Sequence, residues 1–194
     1  MTVFSARLDA ALAMASHAHA GQTRKGTEIP YVAHPVHVAL MVLQAGATED
    51  MVIAALLHDT LEDTAVERSE IARVFGPHVL DLVASMTQRS PEETGLTWRQ
   101  VKEEALRHLE AGGAELLLIK SADTLHNSAS LLMDVRARGK DAFTRFKRDP
   151  QDQLWFYGEV ARICSERLGH DHAVASELLE TVTNLRKELK ALQA

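Results

Sequence analysis

The sequence predicts an all-α protein, a single helical bundle of about eight to ten helices. Three observations predict it. Apolar residues recur at three- and four-residue steps, and no segment shows period-two alternation, β-branched enrichment or hairpin turn chemistry. Glycine, proline and small hydroxyl residues punctuate these runs at helix-sized intervals. The 194 residues, 46% hydrophobic and 25% charged, suffice for one domain with a substantial core, and no repeat, low-complexity tract or domain boundary interrupts them.

The elements follow in order. Residues 4–20 are alanine-rich with apolar spacing, and Gly21 stops them. The loop 21–33 carries Gly21, Gly26 and Pro30. A helix over 36–45 starts beside Pro35, a natural first-turn residue, and ends near Gly46. Thr48 is the N-cap of a helix expected to run from Glu49 through Asp63. Glu67 or Ser69 opens a short helix ending at Phe75-Gly76, and Pro77 starts another that reaches Met86. Residues 88–96, with Pro91 and Gly95, are expected as the mobile loop. Thr97 caps a helix to Leu109, closed by Gly112-Gly113. Helices over 114–138, 154–168 and 173–192 complete the chain. In the last, Leu178, Val182, Leu185, Leu189 and Leu192 form a narrow apolar stripe, which either packs on its own domain or pairs with a second copy as a homodimer.

Composition excludes several classes. A net charge of −6 argues against a general nucleic-acid or anionic-membrane binder, which would carry a basic excess. A single cysteine, Cys164, forms no internal disulfide and suits a reducing cytoplasm. The N-terminal residues, with Arg7 and Asp9 among alanines, do not resemble a signal peptide, and no run approaches the roughly 18 apolar residues of a membrane span.

The chemistry sits in His58-Asp59-Thr60-Leu61-Glu62-Asp63, at the end of an apolar stretch that begins at Met51. Buried imidazoles and carboxylates are costly unless paired or bound to a metal. On an unbroken helix, the i,i+4 spacing sets Glu62 on the face of His58 and Asp63 on that of Asp59. Two ligands do not hold a catalytic ion. His34, in Pro30-Tyr31-Val32-Ala33-His34-Pro35, and Asp123, the one acid in an apolar helix, are the candidates to complete the set. Such a mixed nitrogen and oxygen set suits Mn²⁺, Fe²⁺ or Zn²⁺ better than Mg²⁺ or Ca²⁺. Metal-assisted hydrolysis requires this pattern, with Glu62 or Asp63 to orient water or shuttle its proton. Arg24, Lys25 and Lys120 can balance phosphate charge, and the planar Arg24 guanidinium suits stacking or forked phosphate contact. His19 reads as a helix-end contact. His37, His78, His108, His170 and His172 read as ordinary histidines, and Trp98, Trp155 and Tyr157 as packing aromatics.

These residues carry a family resemblance. His34, His58-Asp59 and Asp123 match the order and spacing of the HD phosphohydrolase superfamily. Added to them are Ala18-His19-Ala20-Gly21-Gln22-Thr23-Arg24-Lys25, Ala55-Leu56-Leu57-His58-Asp59-Thr60-Leu61-Glu62-Asp63-Thr64, Phe75-Gly76 and Asp123-Thr124-Leu125-His126-Asn127. Together the blocks resemble the hydrolase domain of the RelA/SpoT family, in its stand-alone small alarmone hydrolase form. The resemblance runs from about Ala10 to Asn127 and more faintly over Leu154 to Leu168, and it implies one domain with a metal core over 18–127 and C-terminal helices over 150–194. It implies removal of the 3′-pyrophosphate from guanosine tetra- or pentaphosphate with Mn²⁺. It also implies His34, His58, Asp59 and Asp123 as metal ligands and Glu62 and Asp63 as catalytic acids. Arg24, Lys25 and Asn127 would contact the nucleotide. The chain departs from the pattern at Thr124, where the family carries Arg, and at Ser121, Gln88-Arg89-Ser90 and Ser128-Ala129. These changes flank the nucleotide pocket and leave the metal residues intact. They keep open an HD hydrolase of another phosphorylated nucleotide, such as an adenosine alarmone or a nucleotide monophosphate. A non-catalytic nucleotide-binding regulator is the third reading.

Overall fold

In the computed structural model, which describes residues 4–144 and 149–193, helices follow one another with short connections. They are α1 (Ala6–Ala18), α2 (Ala33–Gln44), α3 (Glu49–Leu57), α4 (Thr60–Asp63), α5 (Arg68–Phe75), α6 (Pro77–Met86), α7 (Pro91–Thr94), α8 (Trp98–Ala111), α9 (Ala114–Arg138), α10 (Pro150–Leu168) and α11 (Ala173–Gln193), with a 3-10 turn at Gly139–Phe143. Among the described residues the strand-type pairing is one isolated bridge, Thr23 to Pro30. The all-α expectation holds. The chain divides into two compact units, Met1–Glu103 and Glu104–Ala194, and the division falls inside α8, where helical periodicity gives no boundary signal. No helix among the described residues is long and apolar enough to cross a membrane.

The first unit is built around α3. Met51 through Leu57 are all buried, and a helix apolar on every face belongs at the centre of its unit. Helices α1, α2 and α6 pack on it, contributing Ala11, Ala15, Val38, Val42, Val79 and Val83 to the same core. Thr48 caps α3 as expected, its hydroxyl accepting the Met51 N–H at 3.4 Å. Glu49 and Asp50 occupy the first turn, where negative charge suits the helix dipole. The Arg7 guanidinium from α1 donates to Glu49 and Asp50, each at 2.7 Å, and to the Phe75 carbonyl at 3.1 Å. These groups are about 30–42% exposed, so the pairs add under about 1 kcal/mol and mainly fix geometry.

Helix α3 does not run on to Asp63. It ends at Leu57, and α4 starts at Thr60 after a turn at His58-Asp59. The physical reason is local. The His58 ring Nδ1 bonds the Ala55 carbonyl at 2.8 Å, and the Thr60 hydroxyl donates to the Leu57 carbonyl at 2.7 Å. Side chains thereby occupy carbonyls that a continuing helix would have used for its own amides. The expected face-to-face alignment of His58 with Glu62 along one helix is replaced by a joint.

Two other boundaries differ. Helix α2 starts at Ala33, because the Ala33 and His34 amides close onto the Pro30 and Tyr31 carbonyls at 3.1 and 2.9 Å. Pro35 therefore lies in the third helical position rather than before the helix. The segment 88–96 contains a helical turn, α7, held by a reciprocal capping box. Ser90 Oγ accepts the Glu93 N–H at 3.2 Å, and Glu93 accepts the Ser90 N–H at 2.7 Å. Gly95, at φ 69°, closes it in the left-handed region.

In the second unit α9, α10 and α11 pack together. Leu178, Val182, Leu185 and Leu189 of the apolar stripe are buried against that unit, so the stripe serves its own fold. Leu185 is fully buried, and Leu185→Ala should lower unfolding free energy by about 2–5 kcal/mol in urea titration. A loss below about 0.5 kcal/mol would mean that α11 is not part of this core.

Candidate metal centre

The joint between α3 and α4 and the first turn of α2 bring together His34, His58 and Asp59. Their donor atoms all lie within 4.8 Å of one another, and among the described residues this is the group of three or more that could hold a metal ion. Asp59 Oδ2 is 3.2 Å from His58 Nε2 and 3.6 Å from His34 Nε2. The imidazoles are 1% and 2% exposed and meet edge to face, with ring centroids 5.1 Å apart.

The tautomer of His58 follows from its neighbour. The Ala55 carbonyl can only accept, so Nδ1 carries a proton and Nε2 faces Asp59. A bare imidazole nitrogen and a carboxylate oxygen at 3.2 Å are two acceptors, and this arrangement needs a proton or a cation between them. Two buried imidazole nitrogens and one carboxylate oxygen therefore fit a divalent transition ion.

Glu62 and Asp63 stand on α4 beside this group. Both reach solvent, yet the protein crowded around them raises each carboxyl pKa above its ordinary value, and the charge of Asp59 adds to the rise. Glu62 Oε2 accepts the Gln88 N–H at 2.9 Å, which opposes that rise. The Asp63 carbonyl accepts from the Gln22 side-chain amide at 3.0 Å, and the Asp63 N–H still reaches the Asp59 carbonyl at 2.9 Å.

Tyr31 was not singled out in the sequence. Its hydroxyl donates to Asp59 Oδ2 at 2.7 Å and lies 3.4 Å from Asp63 Oδ2. Burial, and then the nearby Asp59 charge, push its pKa far up, so the phenol keeps its proton. The available signal was its place three residues before His34, where the turn from the Tyr31 carbonyl to the His34 N–H fixes them as neighbours. Arg24 is drawn to the same place, its guanidinium 5.6 Å from the Tyr31 ring centroid, while Lys25 is exposed on the same turn. The buried His19 makes the helix-end contact expected of it, bonding Gln22 at 2.8 Å with its ring 4.8 Å from that of Tyr31.

Asp123 and Asn127 belong to the second unit. Asp123 is buried on α9 and is bracketed one turn to either side. Lys120 Nζ donates to its Oδ2 and Asn127 Nδ2 to its Oδ1, each at 2.7 Å. Lys120 is itself largely buried, with its ammonium 6.0 Å from the Phe156 ring centroid.

The family profile described as HD domain matches residues 11–148. Over 121 residues the chain is 38% identical to a probable GTP diphosphokinase, RSH3, chloroplastic, of Arabidopsis thaliana, covering 60% of this chain and 17% of that one. It is 36% identical over 132 residues to the GTP pyrophosphokinase rsh of Brucella ovis, covering 66% and 17%. The matched segment thus spans about a sixth of these relatives. Among solved structures, a metazoan ortholog of SpoT, reported to hydrolyse ppGpp and to play a role in starvation responses, superposes with a TM-score of 0.65 at 25% identity, covering 99% of this chain and 96% of that one. The 1.85 Å crystal structure of lmo0812 from Listeria monocytogenes EGD-e gives a TM-score of 0.69 at 29% identity, covering 81% and 99%.

The raised Glu62 pKa has a consequence for metal-free protein. The folded chain favours the protonated carboxyl, so this contribution to stability is present below the ordinary value of 4.5 and is lost as pH rises through the folded value. Glu62→Gln should therefore raise the urea midpoint of metal-free protein at about pH 7 and change it little at about pH 4. An equal effect at both would assign the change to packing instead.

Proposed function

The chain belongs to the HD-domain family and has RelA/SpoT homologues, and on that premise we propose that it is a divalent-metal-dependent phosphohydrolase that removes the 3′-pyrophosphate from guanosine tetra- or pentaphosphate. The observation that carries this reading is the convergence of His34, His58 and Asp59 within 4.8 Å, beside two carboxyls of raised pKa. The kinase activity in the relatives' names is not carried over, because the matched segment is 17% of each. The metazoan protein, which this chain covers nearly end to end, is the relative described as hydrolysing ppGpp.

In this reading His34, His58 and Asp59 hold the ion, and the sequence pattern adds Asp123 as the fourth ligand. Mn²⁺ is the expected ion, and the donor chemistry also suits Fe²⁺ or Zn²⁺. The bound ion would supply a water of lowered pKa and offset phosphoryl charge. Glu62 and Asp63 orient the attacking water and take its proton. A raised carboxyl pKa suits a group that must both accept and return a proton. The Gln88 amide steadies Glu62 in that task. Arg24, stacked on Tyr31, and Lys25 offer cations to the phosphates, and Asn127 is the polar group for the ribose and base. The substrate is a small nucleotide, and a cytoplasmic site of action belongs to the same reading.

One observation favours a second reading, an HD hydrolase of another phosphorylated nucleotide. Thr124, beside Asp123 on α9, is 2% exposed and presents a short hydroxyl where the resembled family carries a long cation. A different base or phosphate pattern would follow from that change.

Incubation with guanosine and adenosine tetraphosphates, with and without Mn²⁺, followed by ion-exchange chromatography, tests both. Metal-dependent pyrophosphate release from the guanosine compound is expected. Preference for the adenosine compound would move the second reading ahead, and no release from either by metal-loaded protein would remove the 3′-pyrophosphate assignment. Glu62→Ala should keep metal binding and lose about 10²–10⁴ in rate, whereas Asp123→Ala should lose both. Near-normal turnover by Glu62→Ala would end its catalytic role.

A further inference from the structure

We propose that Tyr31 is a positioning residue of the metal centre, its hydroxyl fixing the Asp59 carboxylate against the two histidines. The inference rests on the metal-site reading and assigns a role to a side chain outside the expected ligand and acid set.

The geometry is specific to one oxygen. Asp59 Oδ2 faces His58 Nε2 at 3.2 Å and His34 Nε2 at 3.6 Å, and the Tyr31 hydroxyl donates to that same atom at 2.7 Å. An aspartate has two soft side-chain torsions, so an unrestrained carboxylate could turn Oδ2 away from the imidazoles. The phenol bond blocks that rotation. A hydroxyl carries one proton, and the distances of 2.7 Å to Asp59 and 3.4 Å to Asp63 assign it to Asp59 while leaving Asp63 within reach. The hydroxyl thus spans a carboxylate that would hold the ion and one that would handle the proton.

The ring is held independently of the hydroxyl. The Tyr31 N–H donates to the Gln22 carbonyl, and the Tyr31 carbonyl accepts the His34 N–H, both at 2.9 Å. His19 lies against the ring with centroids 4.8 Å apart, and the His34 ring meets it edge-on at 6.0 Å. The Arg24 guanidinium rests 5.6 Å from its centroid. Gln22 is anchored in turn, with its Nε2 on the Asp63 carbonyl and its Oε1 on His19 Nδ1. A phenyl ring keeps all these contacts, so Tyr31→Phe removes the hydroxyl alone. Partners that orient ligands in this way typically change metal affinity by about 10–100-fold.

Isothermal titration of Mn²⁺ into metal-free protein, paired with thermal unfolding of the same samples, tests the inference. Tyr31→Phe should weaken the Mn²⁺ dissociation constant by about 10–100-fold and leave the metal-free unfolding midpoint unchanged. Tyr31→Leu, which also removes the ring, should lower both the Mn²⁺ affinity and the metal-free midpoint. Unchanged Mn²⁺ affinity in Tyr31→Phe would overturn the inference, as would a loss of affinity matched by an equal loss of metal-free stability, since the hydroxyl would then serve the fold. Parent protein that takes up no Mn²⁺ would overturn the metal-site reading and this inference with it. Parent protein that binds Mn²⁺ beside an unaffected Tyr31→Phe would overturn this inference alone.

Discussion

The first unit depends on how a fully buried helix ends. Every residue of α3 from Met51 to Leu57 is out of solvent, so its last carbonyls cannot turn to water. A buried carbonyl without a partner costs about 1–3 kcal/mol. Ala55 and Leu57 are satisfied by the side chains of His58 and Thr60. Those bonds stop the helix, and they also aim the imidazole. With Nδ1 engaged, His58 has one orientation and presents Nε2 toward Asp59. The capping of a core helix and the aiming of a candidate metal ligand are the same hydrogen bond, so His58 cannot be changed for one purpose without disturbing the other.

The carboxylates of the two units are treated in two ways. Asp59 and Asp123 each accept from donors on named neighbours, the Tyr31 hydroxyl in one unit and the Lys120 ammonium and Asn127 amide in the other. Their orientations are thereby set. Glu62 and Asp63 are crowded by protein and by the Asp59 charge, and their pKa values rise. Groups of one chemical type given different environments can take different roles, and the proposed function uses that division to separate ligands from proton carriers. Fixed donors suit an atom that must stay in place, and a raised pKa suits one whose proton must come and go.

Much of this was legible in the sequence. The Thr48 and Thr97 caps, the start at Pro77 and the whole of α9 follow from local rules that packing does not override. So does the bracketing of Asp123, since Lys120 and Asn127 lie three and four residues away on a helix. His34, His58 and Asp59 were readable because polar residues interrupting apolar runs are costly without a purpose. The break after Leu57 was not readable, because apolar periodicity is blind to side chains that bond back onto the helix. α7 had a signal in Ser90 and Glu93, the capping-box spacing, but Pro91 and Gly95 pointed more loudly to a loop. Tyr31 was hidden for another reason. An aromatic residue in a loop reads as packing, and its meaning lies in a hydroxyl whose partner, Asp59, is 28 residues away.

The loop 21–33 is therefore more than a connection. It closes on itself through the Arg24 N–H to the Ile29 carbonyl at 2.8 Å, and the Thr27 N–H and hydroxyl both reach the Arg24 carbonyl at 2.9 Å. A turn tied in this way holds the Arg24 backbone still, so only its side-chain torsions remain to be ordered as the guanidinium rests over Tyr31. The same loop supplies Gln22 to the Asp63 carbonyl and Tyr31 to Asp59. One short segment thus bonds the Asp59 carboxylate, braces the Asp63 backbone and presents a cation, and each contact relies on the same few backbone bonds. Loops carry binding residues well when a rigid scaffold places them. Here the scaffold is the α3–α4 joint, and the loop is fastened to it at Asp59 and at Asp63.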